Sequence, residues 1–113
     1  MKPQQAIAML DRQLRMHGST ITLIRKQPNG PDITHAVKGF LRDLKPSEIT
    51  DGIGQGARKL AFSPTDLAGS AFEAEPPRRG DTAVVSGRRL AVIATETVLL
   101  ANVSVRFNST VAG

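Results

Sequence analysis

The run from Pro76 to Val98 constrains the fold more than any other part of the chain. Pro77 fixes its own φ at about −65°. Pro76 is held extended because a proline follows it. Arg78 and Arg79 make this arm basic, and Gly80-Asp81 turns the chain. Thr82-Ala83-Val84-Val85 then reads as a short strand, Ser86-Gly87 as a turn, and Arg89 to Val98 as a longer strand leaving it. A stiff arm, a tight turn and a hairpin in succession predict an antiparallel β frame.

The rest of the chain supplies strands to that frame. Val103, Val105, Phe107 and Val111 alternate with Ser104, Arg106, Asn108 and Thr110, the signature of a half-buried antiparallel strand. Ser19 to Lys26 is rich in β-branched residues, and Ile33 to Leu44 follows it after the turn-forming Pro28-Asn29-Gly30-Pro31. Gly39 inside the second of these marks a bulge or a close approach of another backbone. Arg58 to Ser63 gives a further short strand ended by Pro64, with Thr65-Asp66-Leu67 as a turn. At the N-terminus, Ile7, Leu10 and Leu14 recur at helical spacing between Pro3 and Met16, with Gly18 past the end. A helix of that length is marginal alone and needs a sheet to pack on.

These elements predict a single domain over residues 1–113, mainly β within the α+β class. An N-terminal helix packs on a six-stranded antiparallel barrel or sandwich. Two long connections, Lys45–Ala57 and Gly69–Arg79, are expected to be mobile, because they are rich in glycine or proline and lack apolar anchors. With four Phe and no Tyr or Trp, the core has to be built from aliphatic side chains.

The chemistry-bearing motifs are sparse. Gly52-x-Gly54-x-Gly56 lacks the third glycine spacing and the βαβ setting of a dinucleotide loop. Arg79-Gly80-Asp81 spells an adhesion tripeptide, but it reads as a turn. His17 and His35 stand without a partner at metal-ligand spacing, and there is no cysteine. No nucleophile elbow or paired carboxylate is present, so no enzyme activity, catalytic residue, metal or cofactor is assigned. Met1-Lys2-Pro3 begins no signal peptide, and the most hydrophobic region, Leu90 to Val103, is broken by polar residues, so no membrane partner is expected.

The charge is the remaining clue. Lys and Arg outnumber Asp and Glu by 15 to 10, which suits an acidic partner as well as mere solubility. The pairs Arg25-Lys26, Arg58-Lys59, Arg78-Arg79 and Arg88-Arg89 fall at strand ends or in connections, and in a barrel such ends gather at the rims. The aromatic platforms of a single-strand nucleic-acid binder are few.

The order of features resembles the small head–tail connector proteins of tailed phages and prophages, of the head-closure or tail-attachment type. The matching residues are the N-terminal helix, Gly52 to Leu60, Ser63-Pro64-Thr65-Asp66-Leu67, Pro76 to Asp81, the Gly87-Arg88-Arg89 turn and a closing strand ending at Gly113. The resemblance implies a structural virion protein that forms a ring, joins or closes the portal and attaches the tail. It implies portal or adaptor and tail proteins as partners, with non-specific DNA contact left open. It also implies residence in the host cytoplasm during assembly and then in the virion. Lys45–Ala57 and Gly69–Arg79 become the assembly elements, with Lys45, Ile49, Ile53, Arg58, Lys59, Phe72, Arg78, Arg79, Asp81, Arg88 and Arg89 as candidate interface residues. The basic balance departs from a channel lining past which DNA slides, which points the arginines at subunit interfaces. A tail terminator and an OB-type nucleic-acid-binding module are the alternatives.

Overall fold

The computed structural model describes residues 2–43 and 57–113. Six strands, β1 Ser19–Arg25, β2 Ile33–Asp43, β3 Arg58–Phe62, β4 Thr82–Val85, β5 Arg88–Leu100 and β6 Val103–Ala112, close into one barrel in the order β1-β2-β3-β6-β5-β4. Every neighbouring pair is antiparallel. The architecture is a closed barrel rather than a sandwich, which leaves no permanent sheet edge around the wall.

The period-2 patterns decide which side chains point inward. Ile21 and Leu23 of β1, Leu60 and Phe62 of β3, and Phe107 and Val111 of β6 are buried in the centre. Phe62 and Phe107 face each other across the β3–β6 pair with ring centroids 5.5 Å apart. Each fully buried side chain of this size contributes about 1.5–3 kcal/mol. The barrel interior is therefore a packed core.

Two hairpin turns have positive φ at both central residues, as the two-residue type I′ geometry requires. Ser86 and Gly87 (φ 52° and 78°) join β4 to β5, as the sequence predicts. Ala101 and Asn102 (φ 51° and 64°) join β5 to β6. The second turn is not legible in sequence, because alanine is no turn former. Register shifts at Val92/Ala94 and Val98/Leu99 bend the long β5. β4 pairs with β5 only up to Ala91, and β3 with β6 only from Phe107 onward. The β5–β6 hairpin consequently runs on past both neighbours, with Leu99 and Val103 exposed at its tip.

Helix α1, Pro3–His17, begins at a proline whose missing N–H costs nothing there. The Lys2 backbone N–H donates to the Gln5 side chain at 3.0 Å, and Gly18 N–H returns to the Leu14 carbonyl at the other end. The helix packs on β6 and β2 through Leu10 and Leu14, while Ile7 is only half-buried. Its contact is a satellite of the barrel core, and the Thr65 hydroxyl ties it further by donating to Asp11 at 2.7 Å.

The connection from β3 to β4 crosses one end of the barrel. It contains a 3-10 turn, Pro64–Leu67, capped by the Ser63 hydroxyl, and a single helical turn α2, Ala71–Ala74, capped by Ser70. Leu67 and Phe72 drop into the core and seal that end. The expected lack of apolar anchors in Gly69–Arg79 is corrected here: Phe72 and Pro77 are fully buried, anchors that its composition conceals. The second connection expected to be mobile, Lys45–Ala57, lies outside the described residues except for Ala57, which is buried.

Gly39 is where β2 passes closest to its neighbours. A Cβ there would stand 2.7 Å from Ile21 Cδ1, 2.9 Å from Leu60 Cδ1 and 3.0 Å from the Ala61 carbonyl oxygen. All three neighbours are buried, so the site has nowhere to expand. Gly39→Ala is expected to cost about 1–3 kcal/mol in a urea titration. Adding Ile21→Val, which removes the nearest methyl, should recover part of that loss relative to Ile21→Val alone; strict additivity would contradict the packing account.

Candidate functional site

The barrel has two unlike ends. At the sealed end, Arg25 closes β1 and is buried with its side chain 8% exposed. Its Nε donates to Asp81 Oδ1 at 3.0 Å and its Nη2 to Asp81 Oδ2 at 2.6 Å. The remaining donors reach the backbone carbonyls of Glu75 at 3.0 Å and Pro76 at 3.1 Å. The guanidinium carbon lies 4.5 Å from the centroid of the Phe72 ring, a desolvated cation–π contact. The planar fork thus hydrogen-bonds one carboxylate and two carbonyls, with the exposed Glu75 carboxylate a second ion-pair partner at 3.7 Å.

Asp81 is held equally firmly. Its Oδ2 also accepts the Arg78 N–H at 3.0 Å, and the Asp81 N–H returns to the Arg78 carbonyl at 3.0 Å, which builds the turn through Gly80 (φ 100°). Val92 of β5 donates to the Asp81 carbonyl at 2.9 Å. The Arg79-Gly80-Asp81 tripeptide is a turn as expected, and its carboxylate is turned inward rather than presented. Nearby, His35 Nε2 bonds the Asp66 carbonyl and its ring stacks on Phe72, while Asp66 Oδ2 accepts the Lys38 N–H at 2.8 Å.

The other end is an open mouth with a cleft of about 440 Å³. Arg58 from β3, Arg88 from β5 and His17 from the end of α1 stand around it with Ser19 and Ser86. The inner wall is made by Gly39, Phe40, Leu41, Val85 and Leu90. Arg58 meets Asp43 at 3.4 Å, a pair with the carboxylate 90% exposed. Such a pair is screened by water and contributes about 0–1 kcal/mol.

The candidate interface residues therefore separate. Lys45, Ile49 and Ile53 lie outside the described residues. Arg58 and Arg88 meet at the mouth, as strand-end charges in a barrel are expected to, but Lys59 and Arg89 do not line it. Arg78 and Arg79 sit by the start of β4 and Arg88 and Arg89 beyond its end, so the four arginines form no single cluster. Arg78 pairs with Glu75 at 3.3 Å, and the Glu73 carboxylate accepts the Gly69 N–H.

Two candidates are corrected outright: Phe72 is core, and Asp81 is a buried counter-ion, so neither offers surface to a partner. Arg25 was counted with the rim charges and is buried as well. The signal that identifies Arg25, an acid 56 residues away in sequence, exists only in the fold.

Among the described residues no three His, Asp or Glu side chains are grouped to hold a metal ion, and no helix is long and apolar enough to cross a membrane. Comparison with known proteins returned no matching family model, no similar curated sequence and no similar solved structure.

The buried pair yields a direct prediction. Asp81→Ala leaves a buried guanidinium with only the exposed Glu75 carboxylate 3.7 Å away as counter-charge and is expected to cost about 3–5 kcal/mol in chemical denaturation. The double variant Arg25→Met/Asp81→Leu should cost less than Asp81→Ala alone, since no orphaned charge remains. A loss below about 1 kcal/mol for Asp81→Ala would mean the pair is not a structural element.

Proposed function

We propose that this chain is a structural protein of the tailed-phage head–tail junction, assembling into a ring that joins or closes the portal and attaches the tail. The layout of helix, closed barrel, basic arm and closing strand supports this reading. The observation that carries it is the β5–β6 hairpin, which runs on past both of its neighbours and ends in exposed apolar side chains, two of the four large ones exposed among the described residues, the others being Met9 and Met16 of α1. The barrel interior is filled and one end is sealed, yet Leu99 (58% exposed) and Val103 (44%) stand at the tip of a hairpin that outruns the wall. A projecting two-stranded tip with an exposed apolar side chain on each face, Leu99 on one and Val103 on the other, suits a contact with a neighbouring subunit. Portal or adaptor and tail proteins are the partners in this reading, met first in the host cytoplasm and then in the virion.

The nucleic-acid alternative draws less support. An OB barrel has five strands and is partly open, whereas six strands close here. Phe62, Phe72 and Phe107 are all in the core, which leaves only Phe40 half-buried and no row of stacking platforms.

The test is assembly of the purified chain on a portal ring from the same genome, followed by electron microscopy and native mass spectrometry. The wild type is expected to add a ring, and Leu99→Asp/Val103→Asp to remain a folded monomer that does not. Failure of the wild type to join the portal or tail, together with sub-micromolar binding of single-stranded DNA near physiological salt, overturns the reading.

A further inference from the structure

We infer that the open mouth of the barrel is a docking site for an acidic peptide segment of a partner protein, one that carries an apolar side chain beside its carboxylates. The inference is independent of the virion reading, because every residue it uses belongs to one copy of the chain.

Charge complementarity selects the acidic partner. The titratable side chains lining the cleft among the described residues are Arg58, Arg88 and His17, and no carboxylate lines it. Arg88 has no ion pair or side-chain hydrogen bond among the described residues. Among the described residues the ion-pair partner of Arg58 is Asp43, whose carboxylate is 90% exposed, and an incoming acid can replace such a screened partner at little cost. Two guanidinium forks from different strands, β3 and β5, suit carboxylates on successive residues better than a single ion.

The wall selects a peptide over a nucleic-acid strand. Leu41, half-buried and packed against the core, lines the cleft together with Val85 and Leu90. That surface is aliphatic and recessed, with room for one or two side chains in about 440 Å³. A nucleic-acid strand calls for successive exposed aromatic faces along a basic track. The Ser19 and Ser86 hydroxyls at the rim suit the polar backbone of an extended peptide.

The experiment is a fluorescence-anisotropy titration of the full chain with three labelled probes at fixed salt. They are a decapeptide of Asp and Glu containing two Leu, the same peptide with Leu replaced by Ser, and an oligothymidylate of matched charge. NMR amide shifts map the contact. The Leu-containing acidic peptide should bind with shifts centred on Ser19, Gly39, Ser86 and Leu90, and roughly tenfold or more tighter than the other two probes. Arg88→Glu, at an exposed position, should weaken it about tenfold or more without moving the denaturation midpoint, and Arg88→Ser should fall between. Absence of binding, shifts elsewhere, indifference to Arg88→Glu, or equal or tighter binding of the oligothymidylate would each overturn the inference.

Discussion

The Arg25–Asp81 pair is the interaction on which the arrangement of this protein depends. A guanidinium at the last position of β1 is buried against an aromatic ring, and burial of a charge is costly unless every donor is met. The fold meets them by bringing the β3–β4 connection across the end of the barrel. Two carbonyls of that connection and the carboxylate at its far end converge on one side chain. The same carboxylate organises the turn that launches β4, and β4 is the strand that closes the barrel between β1 and β5. One buried arginine, through its pair with Asp81, therefore couples the arm, the plug residue Phe72 and the closing strand.

This coupling makes the barrel asymmetric. At the sealed end Arg25, Asp81 and His35 are engaged internally, while Arg78 and Arg79 remain exposed on its surface. The mouth keeps its cations for the outside: among the described residues Arg58 and Arg88 have at most a screened partner, over an apolar wall. The long β5–β6 hairpin adds a third distinct surface with exposed aliphatic side chains. A filled barrel with its reactive surfaces at a rim and a projecting tip is suited to being a building block. Its contacts can form without disturbing the core.

Much of the barrel is legible in the sequence because it rests on local patterns. The alternation from Val103 to Val111, the β-branched run after Ser19 and the Ser86-Gly87 turn each specify an element within a few residues. Gly39 signals its crowding by being a glycine inside a strand. The functional surface is less legible. Arg25 reads as one more rim cation, since burial of an arginine depends on an acid 56 positions away. Phe72 sits among Gly, Ser, Glu and Pro and looks like a loop residue until the connection folds over the barrel end. The Ala101-Asn102 turn is set by the β5–β6 register and not by its own residues. Conversely, the idea that strand-end charges gather at rims holds for Arg58 and Arg88 and fails for Arg78, which the arm carries to the opposite end.

Amide hydrogen exchange on the Arg25→Met variant tests the coupling most directly. The predicted result is a selective loss of protection in Ala71–Asp81 and β4, on the order of a hundredfold or more, with the β2–β3–β6 core changed much less. Unchanged exchange in the arm, or a uniform loss across all six strands, would show that the Arg25–Asp81 pair does not hold the arm and the closing strand in place.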